Sequence, residues 1–463
     1  MNPDPPGFEH AIATYRAAIE RQPLRYTSIA ASSTPDLERR AYLLHSQSWS
    51  PEPRVQPAAW HHDVAIYIPR DARRGRALLV VDNGSRHDGA NDLARAEHFT
   101  PDTLAAIATR TRTAVVSIGD VPNQPLTFAG DGSARAEDEL VARSWALFMQ
   151  DPAASMTVPL SVPMVAAIAR AMTLAARELA SLDISRFIVA ALSKRAWASW
   201  LAALVDPRID AICAVASDIL DTRRVLTHTW RTYGEAWPAA FQPYYAEHID
   251  ERLDSDAFAA LLRIVDPLQY RDTAYAPRLR IPKYIVNASG DDLFTPDNAG
   301  LYYDQLPGSK MLRMVPNAAH HDVGPLSMNS LTAFVERLQN ATPLPQIDAS
   351  LYGSARDTAL RLSSSERPLR VVLWQASNPY ARDFRRACGI HYQALPVQSP
   401  AGNAALQVPI SQPDAGWSAS FLEATYADGL VATSQTYILG KQMYPGPSAT
   451  AHCTGQLLPR RER

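Results

Sequence analysis

Phe187-Ile-Val-Ala-Ala-Leu-Ser-Lys-Arg-Ala196 is the stretch on which the fold turns. It opens as an apolar run, the composition of a strand buried on both faces. From Lys194 to Leu204 the pattern is that of a helix. Ser193 stands at the junction. A serine on such a strand-to-helix turn has its hydroxyl lifted clear of the sheet, provided small neighbours let the backbone pass. The usual form is Gly-x-Ser-x-Gly; here Ala191 precedes the serine by two positions and Arg195 follows it by two.

Two later segments complete a pattern. Ser289-Gly-Asp-Asp-Leu-Phe294 follows the strand-like run 282–287, and Asn317-Ala-Ala-His-His321 follows the run 310–315. Acyl transfer from a serine needs a general base within reach and an acid that orients the base. The chain order serine, acid, histidine, with each member closing a short strand, is that of an α/β-hydrolase. Ser193 is then the candidate nucleophile, Asp291 the acid and His320 the base. Asp292 and His321 remain rivals; Asp291 is preferred because it directly follows the Gly290 turn. Both aspartates also read as capping or turn residues ahead of Pro296 and Asp297. An oxyanion hole needs two backbone N–H groups. Lys194 is one candidate donor, and Gly84 or Ser85 of Asp82-Asn-Gly-Ser-Arg-His87 is the other. Arg195 either binds a substrate anion or holds loops through Glu137 or Asp138. The second role is preferred, because the helix buries its own first turn.

Around these residues, strand-like runs at 63–68, 77–82, 113–118, 187–191, 209–215, 282–287 and 310–315 alternate with helix-like stretches at 132–150, 162–181 and 194–204. That alternation predicts a mostly parallel sheet with helices on both faces over residues 55–340. Residues 1–54 read as a helical and loop extension. Residues 221–275 break the rhythm with Trp230, Trp237, Tyr244 and Tyr245, and fit either a lid insertion or ordinary aromatic packing. Trp230 and Tyr244 are on that basis candidate substrate-binding or structural residues. After a turn-rich stretch at 340–368, strand-like runs between turn formers predict a C-terminal β-sandwich over 345–463.

Composition narrows the classes of function. The chain has 463 residues, 46% hydrophobic and 20% charged, so two globular domains are expected. A formal charge of -2 offers no general attraction to nucleic acid or acidic membranes. No apolar run approaches the ~20 residues that span a bilayer, and Met1-Asn-Pro-Asp-Pro-Pro6 lacks the features of a signal peptide. Cys213, Cys388 and Cys453 have no metal-ligand spacing; a Cys388–Cys453 bridge is compatible with the sequence. Neither the histidines nor Gly130-Asp-Gly132 form a zinc or phosphate motif. No cofactor is expected, and the partner is a small-molecule or peptide substrate.

Several separated segments together resemble the PhoPQ-activated pathogenicity-related proteins. They are Val121–Leu126, Arg135–Asp138, Ser193–Trp197, Asp206–Arg208, Pro282–Asp292, Pro316–His320, Asn378–Phe384 and Gly416-Trp417. The resemblance runs from about 55 to 440, and it implies an α/β-hydrolase-like domain followed by a β domain. It further implies a bacterial protein that is periplasmic or secreted and linked to resistance to antimicrobial peptides. That family usually carries glycine at the positions of Ala191 and Ala196. The expectation from residues and resemblance together is a serine hydrolase acting on an ester or small peptide amide. The alternative is a non-catalytic envelope or peptide-binding protein on an altered hydrolase scaffold.

Overall fold

The computed structural model describes residues 7–52, 54–85, 99–353, 358–398, 405–446, 453 and 457–461. Of the Asp82–His87 loop, Arg86 and His87 lie outside the described residues, as do Met1–Pro6. The chain forms two compact units: Met1–Ala214 with Pro243–Ile281, and Val215–Gln242 with Pro282–Arg463.

In the first unit the strands of the large sheet are β1 (Arg25–Ser33), β2 (Leu37–Ser48), β3 (Ala59–Pro69), β4 (Arg76–Val81), β5 (Val115–Ile118), β6 (Arg186–Leu192) and β7 (Ile209–Val215). Their order across the sheet is β1-β2-β3-β5-β4-β6-β7. The β1-β2, β2-β3 and β3-β5 pairs are antiparallel, whereas β4 is parallel to both β5 and β6. Burial accounts for the interior strands: all of Ala77–Val81 and all of Phe187–Leu192 are buried. Strands enclosed on both faces carry continuous apolar runs. The helices of this unit include α1 (Ala11–Glu20), α2 (Pro101–Thr111), α3 (Glu137–Phe148), α4 (Ser161–Glu178) and α5 (Lys194–Val205). The start of α2 is set by Thr100, whose side chain accepts from the Thr103 N–H, and by Pro101 in the first turn. Every residue of α5 after Lys194 is buried, so that helix needs no polar face.

The N-terminal extension differs from expectation: α1 is followed by two strands rather than loop. β1 escapes a pattern reading because nearly all of it is exposed, so no apolar alternation marks it. β2 hides its alternation behind Glu38, Arg39 and Arg40. The span 221–275 is also not one insertion, since the division between the units falls at Gln242 and Pro243. Its second half belongs to the first unit's core: Tyr244 and Phe258 both pack on Trp145, with ring centroids 5.4 and 6.2 Å away.

The second unit contains the parallel pair β8 (Lys283–Ala288) and β9 (Lys310–Val315), and the long helix Val323–Gln339. Its described residues also form β10 (Ile347–Tyr352), β11 (Ala359–Ser364), β12 (Arg370–Asn378), β13 (Gln393–Val397), β14 (Leu406–Pro409), β15 (Trp417–Thr425), β16 (Val431–Thr433) and β17 (Tyr437–Gly440). One sheet has the order β10-β11-β14; the other has β13-β12-β15-β16, with β17 also paired to β15. β10 and β11 occupy the stretch that reads as turn-rich in the sequence. Leu360, Leu362, Leu406 and Val408 from the first sheet share a buried cluster with Val371, Leu373 and Leu422 from the second. The two sheets therefore form a β-sandwich.

The sandwich does not separate from the rest of its unit at residue 340. On the other face of the larger sheet, Met314 of β9 shares a cluster with Phe384, Tyr392, Trp417 and Phe421. The Met314 N–H donates to Thr433 Oγ1 at 3.0 Å, and the Tyr284 hydroxyl donates to the Val431 carbonyl at 2.6 Å. Cys388 and Cys453 are joined in a disulfide with Cα atoms 5.5 Å apart, while Cys213 is buried and forms no disulfide. Among the described residues no helix is long and apolar enough to cross a membrane.

Leu422 is fully buried between the two sheets of the sandwich. Leu422→Ala is expected to destabilise the protein by about 2–5 kcal/mol, the transfer and cavity cost of such a truncation. Chemical denaturation reads this as a lower midpoint at unchanged slope.

Candidate active site

The first unit places Ser193 on a turn of unusual conformation. β6 ends at Leu192, α5 begins at Lys194, and Ser193 between them has φ 57° and ψ −131°. A serine at positive φ is sterically disfavoured and persists only where its surroundings hold it. Here the surroundings are rigid on both sides. Ala191 remains in the strand, in register with Val81 of β4, and Ala196 is fully buried in the helix. Neither alanine is at positive φ. The alanines at the two positions where the family usually carries glycine therefore leave the turn intact.

Glu137, at the start of α3, organises the residues after Ser193. Lys194 Nζ donates to Glu137 Oε2 at 2.6 Å and lies 3.3 Å from Asp138. Arg195, only 2% exposed, donates to both Glu137 carboxylate oxygens, and its Nε donates to the Val121 carbonyl at 2.6 Å. Burial would raise the Glu137 pKa, but the charges and hydrogen bonds of Arg195 and Lys194 outweigh it and hold the group well below the ordinary carboxylate range. Arg195 thus points into the scaffold.

The same network reaches the other proposed oxyanion loop. Gln124 Nε2 donates to Glu137 Oε1 at 2.5 Å and to the Gly84 carbonyl at 3.0 Å. The Glu137 N–H returns a hydrogen bond to Gln124 Oε1 at 2.9 Å. Glycine is required at 84 for space, since a Cβ there would sit 2.1 Å from Asp120 Oδ1. Ser85 follows, half-buried. Tyr244 is buried and donates to Asp138 at 3.0 Å, so its hydroxyl serves the scaffold. Trp230 is half-buried in the helix Thr222–Thr232 of the second unit.

In the second unit, Asp291 and His320 meet. Asp291 Oδ2 lies 2.8 Å from His320 Nδ1, and both residues are at most 9% exposed. The other carboxylate oxygen accepts from the N–H groups of Leu293 and Phe294 at 2.8 and 3.1 Å. With both oxygens engaged, the carboxylate has one orientation, and it fixes an imidazole with the proton on Nδ1. Asp292 does not share in this bond. Burial, and next the charge of Asp291, push its carboxyl pKa upward.

Asp218 is a buried acid that no sequence motif singles out. It follows β7 as Asp291 follows β8, which is the one signal available for it. Its Oδ1 accepts from the Tyr302 hydroxyl at 2.5 Å, and its carbonyl accepts from Asn298 Nδ2 at 3.2 Å. Burial, reinforced by the charges of Asp291 and Asp297, pushes its pKa up to about 8.

The family of PhoPQ-activated pathogenicity-related proteins matches residues 12–385. Autocrine proliferation repressor protein A of Dictyostelium discoideum is 30% identical over 406 residues, covering 83% of this chain and 79% of that protein. The chain belongs to the PhoPQ-activated pathogenicity-related protein family. Among solved structures, the acetyl xylan esterase from Paenibacillus sp. R4 is similar with a TM-score of 0.48 at 14% identity, over 72% of this chain and 95% of that one. Acetyl xylan esterase 1 from Thermoanaerobacterium sp. JW/SL YS485 is similar with a TM-score of 0.45 at 14% identity, again over 72% and 95%.

A carboxyl whose folded-state pKa is raised binds its proton more tightly in the folded protein. Its contribution to stability is complete below the unfolded carboxyl pKa and is lost as pH rises from about 4 to about 8. Asp218→Asn, which stays neutral and can still accept from Tyr302, is expected to flatten the fall in Tm across that window. Calorimetric scans of both proteins from pH 4 to 8 check this; parallel curves would show that Asp218 does not set the slope.

Proposed function

We propose that the protein is a serine hydrolase that cleaves an ester or small peptide amide through an acyl-enzyme. Ser193 Oγ attacks the substrate carbonyl carbon while His320 Nε2 takes the hydroxyl proton. Asp291 accepts from Nδ1–H and stabilises the imidazolium that forms. The tetrahedral oxyanion is held by the backbone N–H of Lys194 and that of Gly84 or Ser85. Collapse expels the alcohol or amine, which receives the proton from His320. Water then attacks the acyl-serine by the same route in reverse, releasing the acid and restoring Ser193.

The observation that carries this reading is the conformation of Ser193. A residue held at φ 57° and ψ −131° between a buried strand and a buried helix is strained, and such strain concentrates where function requires it. The Asp291–His320 bond supports the same reading, since it supplies an oriented base.

A second reading makes the chain a signalling or peptide-binding protein on a hydrolase scaffold. One observation favours it: the relative at 30% identity is named for repressing proliferation. The two readings differ in whether Ser193 reacts.

A fluorophosphonate probe is expected to label the wild-type chain stoichiometrically and to leave Ser193→Ala unlabelled, as read by intact mass. Asp291→Asn is expected to slow ester turnover by roughly 10²–10⁴-fold, the cost of losing the orienting acid, whereas Asp292→Asn stays within about tenfold. Folded wild-type protein that takes no label would overturn the hydrolase reading and favour the second. A large loss in Asp292→Asn with little loss in Asp291→Asn would reassign the acid.

A further inference from the structure

The loops that carry Asp291 and His320 are both gripped by a third segment of the same unit, the β12–β13 connection at residues 379–392. On the acid loop, the Gly290 carbonyl accepts from the Arg386 N–H at 3.1 Å. The approach is close enough that a Cβ at Gly290 would lie 2.8 Å from Arg386 Cβ. On the histidine loop, Asn317 Nδ2 donates to the Tyr392 carbonyl at 2.9 Å, while Asn317 Oδ1 accepts from the Tyr392 N–H at 2.7 Å. The two loops are also tied to each other. The Gly290 N–H donates to the Ala318 carbonyl at 3.0 Å, and the Asn317 N–H donates to Ser289 Oγ at 2.8 Å.

The grip has a rigid base. Tyr392 is buried, and its ring packs on Phe421 of β15 with centroids 5.5 Å apart. Upstream, Asn378 folds the connection by accepting from the Tyr380 and Ala381 N–H groups and donating to the Asp383 carbonyl. Arg382 donates to Asp297 Oδ2 at 2.6 Å, beyond the acid. Asn317 itself has φ 59°, a conformation asparagine tolerates better than most residues. Its side chain is therefore committed on both sides to the Tyr392 backbone, three residues before His320.

We infer that Asn317 is a positioning residue. By locking the His320 loop onto the Tyr392 backbone, it makes the β12–β13 connection of the sandwich a working part of the acid–base pair. The catalytic consequence rests on the hydrolase reading; the geometric one does not. A base displaced by about an ångström loses on the order of 10² in rate, so a loop held by backbone hydrogen bonds is what such a base needs. A sandwich that served only to cover apolar surface would make no such demand on Asn317.

The test uses the full chain carrying Asn317→Gly, which removes the amide at no conformational penalty, and Asn317→Asp. Aspartate keeps an acceptor for the Tyr392 N–H but sets a carboxylate against the Tyr392 carbonyl. Steady-state hydrolysis of p-nitrophenyl acetate is measured together with the low-field proton resonance of His320 Nδ1–H, assigned by its absence from His320→Gln. Asn317→Gly is expected to lower kcat about 10- to 100-fold with KM within about twofold, and to broaden or remove the resonance. Wild-type kcat and an intact resonance in folded Asn317→Gly would overturn the inference. Should Asn317→Gly not fold, wild-type values in Asn317→Asp overturn it and reduced ones uphold it. If the wild-type chain neither turns over ester nor takes a fluorophosphonate, the hydrolase reading fails and the resonance alone decides. Its persistence in Asn317→Gly then counts against the positioning role, and its loss upholds it.

Discussion

Glu137 is the charge on which the strand-to-helix turn depends. Arg195 lies in the first turn of α5 with its guanidinium almost wholly buried, and an unpaired cation there would be untenable. The Glu137 carboxylate answers both Arg195 and Lys194, which fixes the residues immediately after Ser193. Gln124 extends the same carboxylate to the Gly84 carbonyl. One acidic side chain thus ties together the two backbone segments proposed to hold the oxyanion. Glu137 takes a positive φ of 51° at the head of α3, so strain there is offset by the network it completes.

The parts of this arrangement differ in how plainly the sequence announces them. Interior strands are legible because burial on both faces writes an apolar run, unbroken in Phe187–Leu192 and shorter, at Tyr284–Val286, within Lys283–Ala288. β1 is not, because an exposed edge strand has no face to mark. Asp291 and His320 can be found because each follows a short strand-like segment with an apolar centre. Asn317 and Tyr392 cannot, since their pairing joins a loop to a segment 75 residues away through backbone atoms, and a backbone partner leaves no trace in residue type. Asp218 falls between these cases: its position after β7 is legible, but its burial depends on Tyr302 and Asn298 arriving from elsewhere in the chain.

The C-terminal sandwich shows why a division read from pattern and a division read from contacts part company. Alternation changes near residue 340, where helix gives way to strand, and a boundary there is the natural reading. Packing does not respect that change. Met314 sits in a cluster with Trp417 and Phe421, and the acid loop is seated on Arg386. The glycine at 290 is required by contact with a residue of the sandwich connection. A segment that dictates the residue type in the acid loop is part of the site's architecture, whatever its strand content.

The departures from the Gly-x-Ser-x-Gly form can be understood the same way. Glycine is needed in such a turn either for positive φ or for room. At 191 neither applies, because the alanine stays in strand register and the positive φ falls on Ser193 alone. At 195 the chain carries an arginine instead of a small residue, and the room it occupies is filled to advantage by its bonds to Glu137 and the Val121 carbonyl. The scaffold has exchanged the slack of glycine for a fixed ion-pair network behind the serine. The motif's spelling is then a poor guide to whether the turn exists, whereas the buried strand, the buried helix and the strained residue between them define it.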